Sequence, residues 1–186
     1  EEELEAEAEA EKARAAVAPG ITRVTPLDFT HYPISHSLIA VLLWSALFGI
    51  AYQVLRLYPR GAAVCGIAVA SHWLLDLLTH RPDLPLAPGF ETRVGLGIWE
   101  SLPATLLVEL GLFALGVALY LRATRAADRT GTIALWAMVG FLLLAYAANI
   151  FGPPPPSMSA VAWAGHAQWL LVAWGYWIDR HRRARS

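Results

Sequence analysis

Three side chains that can bind metals or move protons are spaced by four residues near the end of one apolar segment. They are His72, Asp76 and His80, in the stretch Ser71–His80 (SHWLLDLLTH). On an α-helix, positions i, i+4 and i+8 drift by only about 80°, so the three side chains leave the same face. Ionisable groups are costly in so apolar a segment, where they pair, bind a metal or line a polar cavity.

The spacing restricts how one metal ion could be held. Residues four apart lie about 6 Å apart along the helix axis, which suits one shared ion, whereas His72 and His80 lie about 12 Å apart. Asp76 could therefore pair with one of the two histidines or bridge two ions. His36, at the start of the preceding apolar run, is a candidate for a further ligand. Imidazole and carboxylate ligands favour zinc, with manganese or iron as alternatives.

A divalent metal at such a site would favour hydrolytic chemistry, because it lowers the pKa of a bound water and so supplies a nucleophile near neutral pH. Glu109, in the third apolar run, is a candidate ligand or general base. Two other interpretations stay open. The polar residues could form a buried hydrogen-bonded network without a metal, and Glu109 could complement the dipole of its own helix.

Five apolar runs must carry these residues, each close to the roughly 20 residues that cross a hydrocarbon core. The runs are 34–57, 61–78, 103–121, 132–151 and 160–178. The composition agrees, because the chain is 56% hydrophobic and 16% charged, against about 45–50% and about 25% in soluble domains. The sequence therefore predicts an all-α fold, a polytopic transmembrane helical bundle with about five spanning helices and the lipid bilayer as its partner.

The remaining segments are short. Residues 1–20 are rich in Glu and Ala and predict an acidic helix or a disordered tail. Residues 21–33 predict an irregular connector with prolines at 26 and 33, and residues 179–186 a basic cytoplasmic tail. A net charge of −1 gives no indication of nucleic-acid binding, and the single Cys65 gives no disulfide framework. The oligomeric state is not predicted.

The arginines predict the orientation of the bundle. They cluster between runs one and two, between runs three and four, and after run five. These three places share one side if every run crosses, and the positive-inside rule makes that side, with the C-terminus, cytoplasmic. The candidate site residues then all fall in the outer halves of their runs. They are His36, His72, Asp76, His80 and Glu109.

Two stretches, Ser35–Leu38 (SHSL) and Ser71–His80, carry a resemblance to a bacterial family. The chain is similar there to inner-membrane proteins described as membrane-bound metal-dependent hydrolases, some of them regulated by the DNA-damage response. Those proteins share an HSL helix start and a later SHxxLDxxTH-type helix, and Arg81–Leu86 (RPDLPL) also looks like a segment of uncharacterised members. The resemblance implies metal ligands at His36, His72, Asp76 and His80. Such proteins usually begin with apolar segments carrying a Gly-His pair and an Asp, and Glu1–Ala18 stands in that place here.

Together, the residues and the resemblance predict a metal-dependent hydrolase that acts on an ester or phosphoester. The position near the outer headgroups suggests a lipid-like substrate or envelope precursor in the outer leaflet. The alternative is a non-enzymatic membrane protein, either a transporter subunit or a metal-stabilised scaffold. The sequence offers no broken helix pair and, apart from Arg56 at the inner end of the first run, no charged residue in the inner halves of the runs, which argues against a transporter. A scaffold would hold its metal with a closed set of ligands.

Overall fold

A computed structural model describes residues 14–185 of the chain. Positions 1–13 of the predicted acidic segment therefore lie outside the described residues. The described chain forms two compact units. The first contains residues 14–16 and Leu27–Leu102, and the second contains Val17–Pro26 and residues 103–185.

Two short strands precede the helices of the first unit. Strand β1 (Arg14–Val17) pairs with β2 (Leu27–His31). The sequence predicted a helix or tail for the first of these segments and an irregular connector for the second. Between them Gly20 adopts a φ of 89°, a left-handed conformation that glycine enters without a Cβ penalty. The chain turns at this point, so that strand pairing replaces the predicted irregular structure.

The first predicted apolar run is divided into two helices. Helix α1 (Pro33–His36) is followed by α2 (Leu38–Arg56), with Ser37 between them in an extended conformation (φ −75°, ψ 144°). The Ser37 side chain accepts a hydrogen bond from the Ala40 backbone N–H at 3.3 Å, which caps the start of α2. His36 therefore lies on a separate short helix that precedes the long one.

Helix α2 packs against α3 (Pro59–Thr79) through small residues. The Ser45 hydroxyl donates to the Gly66 carbonyl at 2.7 Å. A Cβ at Gly49 would lie only 3.2 Å from the Ala62 carbonyl oxygen. Small residues of this kind let two membrane helices approach closely. Because α2 and α3 form a hairpin, the end of α3 lies beside the start of α2.

The segment after α3 folds back on the end of that helix. It contains the antiparallel strands β3 (Leu84–Pro85) and β4 (Arg93–Val94) and a 3-10 turn at Ile98–Glu100. The Gly97 N–H donates to the His80 carbonyl at 2.7 Å, and Leu84 is completely buried. This loop therefore covers the end of α3, where the last candidate histidine, His80, lies.

The second unit contains three long helices and a two-stranded ribbon. In chain order they are α4 (Leu102–Ala123), β5 (Thr124–Ala126), α5 (Arg129–Phe151), α6 (Met158–Arg180) and β6 (Arg182–Ala184). Strands β5 and β6 are antiparallel, with Arg125 opposite Arg183. Helix α6 therefore returns along α5 to the end at which α5 begins. The core contains Ala134, Leu135, Val139 and Ile178.

Among the described residues, four helices are long and apolar enough to cross a membrane, namely α2, α3, α4 and α5. They expose large apolar side chains, for example Leu43, Leu107 and Leu144. These helices confirm the predicted all-α membrane fold. Helix α6 corresponds to the fifth predicted run but is less apolar, since it carries His166, Gln168 and several tryptophans. That α6 crosses the membrane therefore stays a prediction. The pairing of β5 with β6 agrees with it.

Candidate metal centre

The first unit brings three of the predicted ligands together. The ligand atoms of His36, His72 and Asp76, called the ligand group below, all lie within 4.8 Å of one another. His72 and Asp76 occupy consecutive turns of α3, as their spacing predicted, and His36 comes from the end of α1. Nε2 of His72 lies 2.9 Å from Oδ2 of Asp76, and Nε2 of His36 lies 3.8 Å from the same oxygen.

The geometry of the ligand group fits a divalent metal. Oδ2 of Asp76 is buried and accepts no hydrogen bond, although Nε2 of His72 lies 2.9 Å from it. A buried carboxylate oxygen left in this state is costly. Ligand atoms about 2.1 Å from a tetrahedral zinc lie about 3.4 Å from one another. The two separations from Oδ2 of Asp76 lie on either side of this value, and no separation in the group exceeds 4.8 Å.

A neighbouring serine fixes the orientation of the His36 ring. The Ser35 hydroxyl lies 2.7 Å from Nδ1 of His36 and donates to the Tyr32 carbonyl at 3.5 Å. In the tautomer in which Nδ1–H donates to Ser35, Nε2 carries the lone pair and is the nitrogen that faces Asp76. Burial, followed by the charges of His72 and His80, lowers the pKa of His36 to about 4. The ring is therefore neutral at pH 7, the form that binds metals.

His80 lies beside the ligand group but outside it. Its Nδ1 is 3.0 Å from Oδ1 of Asp83, and its ring packs on Trp99 with a centroid separation of 4.8 Å. The centroids of the His80 and His36 rings are 6.4 Å apart. A neutral His80 ring that donates Nδ1–H to this carboxylate would bind a metal through Nε2, as in metal-binding histidines that a carboxylate orients.

Asp83 joins the loop to the histidines, and the sequence did not predict this role. Its carboxylate accepts hydrogen bonds from the Tyr32 hydroxyl at 3.1 Å and from Nε of Arg81 at 3.0 Å. Burial acts to raise the pKa of Asp83, but hydrogen bonds from His80, Arg81 and Tyr32 outweigh it and hold the pKa below its usual value. Asp83 therefore stays ionised. Its position three residues after His80 was the available signal.

Glu109, the predicted general base, belongs to the second unit. It lies on α4, and its carboxylate interacts with the Tyr146 hydroxyl of α5. Among the described residues, Glu109 is not one of the side chains whose ligand atoms lie close enough together to share a metal ion. Its catalytic role stays a prediction, as does the role of His80 as a ligand.

Comparison with known proteins gives one match, and it is extensive. The family model described as YdjM inner membrane protein matches residues 14–155, which include the whole ligand group and the loop that follows it. No curated protein and no solved structure matches the chain. The match covers about three quarters of the sequence, and the four apolar helices are those of a membrane protein. The chain thus belongs to the family of the YdjM inner membrane protein.

Proposed function

We propose that this protein is a metal-dependent hydrolase that cleaves an ester or phosphoester bond in a lipid-like molecule of the outer leaflet. The observation that carries the proposal is the ligand group, in which the buried Oδ2 of Asp76 lies beside two imidazole nitrogens and accepts no hydrogen bond. Two imidazoles and one carboxylate favour zinc, with manganese or iron as alternatives.

Each residue has a defined part in this proposal. His36 and His72 would hold the metal through Nε2, and Asp76 through Oδ2. A divalent metal bound there supplies Lewis acidity and lowers the pKa of water. Ser35 holds the His36 ring in the required orientation. His80, if it is a further ligand, binds through Nε2, because Asp83 occupies its other nitrogen.

The exposure of the ligand group favours an enzyme over a scaffold. The His72 side chain is 47% exposed, so one side of the group is open. Structural zinc sites are usually closed by four protein ligands, whereas catalytic sites combine three protein ligands with an exchangeable position. A ligand group of three residues with one exposed imidazole resembles the second kind.

The position of the ligand group supports a substrate at headgroup depth. His72 is seven residues before the end of α3 at Thr79, about 10 Å along the helix axis. If the arginine-rich ends face the cytoplasm, as the positive-inside rule predicts, this end of α3 faces outward. An ester or phosphoester near the headgroups would then reach the exposed side of His72.

The proposal is tested by metal analysis of the detergent-purified chain. We expect near-stoichiometric zinc, manganese or iron in the wild type and its loss in Asp76→Ala and His72→Ala, since each removes one of three ligands. His166→Ala is the matched control, because His166 lies on α6 against Trp163, outside the ligand group. A well-folded wild type that holds no metal after incubation with each ion would refute the metal centre, and the polar network would remain as its explanation.

Activity is tested separately with chromogenic phosphodiester and carboxylester substrates. We expect turnover to require the added metal and to disappear in Asp76→Ala. In Glu109→Gln a general-base role predicts lower turnover with unchanged metal content. Stoichiometric metal in the wild type, without exchange and without turnover of any ester, would favour the metal-stabilised scaffold instead.

A further inference from the structure

The end of the second unit that carries the β5–β6 ribbon is strongly basic. Residues 122–129 and 179–185 contain seven arginines and only two aspartates. Both aspartates have other partners, since Asp128 lies 2.7 Å from Nδ1 of His181 and Asp179 accepts from the Tyr120 hydroxyl. The charge of the arginines is therefore largely uncompensated within this end of the unit.

The ribbon holds two of these arginines directly opposite each other. Arg125 pairs in register with Arg183, and opposite residues of an antiparallel pair project on the same face, where like charges repel. Arg182 points to the other face, where it lies 5.3 Å from the Tyr120 ring centroid and donates to Thr124 Oγ1. Arg125 and Arg183 are exposed, and no acidic residue in the described part of the chain forms an ion pair with either.

An apolar groove reaches the same end of the unit. A cavity of about 400 Å³ lies between α4, α5 and α6, within the size range of small-molecule sites. Its walls are almost entirely apolar, and it ends at Tyr120 and Asp179, next to the ribbon. Gly116 and Gly175 line it, and a Cβ at either position would meet nothing within 4 Å. The space over both glycines is therefore open, and a cavity of this volume with apolar walls suits a segment of hydrocarbon chain.

We infer that this end of the second unit binds an anionic phospholipid, with a phosphate between Arg125 and Arg183 on one face of the ribbon and an acyl chain that passes around the ribbon into the groove beside its other face. Basic clusters at the ends of membrane helices attract anionic headgroups. A bridging phosphate removes the repulsion between the two arginines through charge-assisted hydrogen bonds. A zwitterionic lipid would fill the groove equally well but would compensate the arginines less.

The headgroup contact is tested by native mass spectrometry of the full chain in detergent with phosphatidylglycerol, cardiolipin or phosphatidylcholine. We expect the wild type to retain both anionic lipids in preference to phosphatidylcholine. The double variant Arg125→Gln/Arg183→Gln should bind them about 30-fold more weakly. Arg23→Gln is the control, since Arg23 is exposed and outside the basic end. Equal retention of the three lipids, or equal affinity in the double variant and the wild type, overturns the inference.

The groove is tested by filling it. Gly175→Leu places a larger side chain where the structure has open space, so we expect lipid retention to fall while the protein stays folded. Gly165→Leu on the same helix is the matched control, because its Cβ also meets nothing within 4 Å and Gly165 does not line the groove. Equal retention by these two variants overturns the acyl-chain assignment.

Thermal unfolding gives a readout that a folding defect would not imitate. Without lipid, the double arginine variant should melt at the wild-type temperature or slightly above it, because the repulsion is gone. Added phosphatidylglycerol should then raise the melting temperature of the wild type by more than that of the variant. An equal rise in both proteins contradicts the inference.

Discussion

The Ser35 hydroxyl determines which nitrogen of His36 faces Asp76. It lies 2.7 Å from Nδ1 and relays the hydrogen bond to the Tyr32 carbonyl. Removal of this partner in Ser35→Ala frees the ring to rotate and to change tautomer. We expect about tenfold weaker metal binding, the lower end of the usual effect of such partners, measured by competition with a chelating dye.

Ser71→Ala is the matched control for this variant. Ser71 is adjacent to His72, and its hydroxyl donates to the Ala68 carbonyl at 2.8 Å and not to a histidine. Its metal affinity should equal that of the wild type, and Ser35→Thr should restore most of the loss. Wild-type affinity in Ser35→Ala would mean that packing alone orients His36.

At the residue scale, the sequence was informative where the geometry is local. The pairing of His72 with Asp76 follows from helical periodicity, and His36 was suggested by its place in the neighbouring run. Asp83 and Tyr32 were not predicted as partners, because their contact at 3.1 Å joins positions 51 residues apart. That contact depends on how the loop after α3 folds back, which no local pattern specifies.

At the scale of elements, the five long helices were predictable because apolar runs of membrane length have few other structures available. The break at Ser37 was not predicted, since a serine inside an apolar run does not interrupt the hydrophobic pattern. Ser37 is itself a preferred N-cap residue, and that was the available signal. The β5–β6 ribbon was also missed, because its strands are three residues each and pair across nearly sixty positions.

The link between α5 and the C-terminal strand should depend on pH. Asp128 accepts hydrogen bonds from His181 and from the Gly131 N–H, and these bonds lower its pKa. A carboxylate with a lowered pKa contributes its full stability above the unfolded value of about 3.9 and loses it as the pH falls through the folded value. Below about pH 4 we therefore expect the amides of residues 181–185 to lose protection against hydrogen exchange, after correction for intrinsic rates.

Asp128→Asn separates the charge from the helix cap. The amide oxygen can still accept from Gly131, but the side chain no longer titrates. Protection of the ribbon in this variant should be lower at pH 7 and nearly constant between pH 5 and pH 3. A decline as steep as in the wild type would assign the pH dependence to another group.

At the scale of the whole molecule, the ribbon constrains how the second unit crosses the bilayer. Strand β6 can pair with β5 only if α6 ends on the side of the membrane from which α5 starts. Because α5 qualifies as a spanning helix, α6 must return through the same thickness. The composition of α6 does not decide whether this helix crosses the membrane, and the pairing of β5 with β6 favours a fifth span.

Cysteine labelling checks this topology. In a Cys65→Ala background, Ala126→Cys and Ala184→Cys should both react with an impermeant maleimide from the cytoplasmic side, and Pro154→Cys from the opposite side. All three positions are exposed. Labelling of Ala126→Cys and Ala184→Cys from different sides would contradict the ribbon, and labelling of both from outside would reverse the predicted orientation.

The three proposed ligands and their orienting residues all come from α1, the hairpin of α2 and α3, and the loop that follows it. The ligands lie within about forty positions of one another, and all of them precede α4 in the chain. Synthesis proceeds from the N-terminus, so this hairpin leaves the ribosome before α4, α5 and α6. The proposed centre can therefore assemble while the chain is still being translated, and an ion that enters then would stabilise the first unit during membrane insertion.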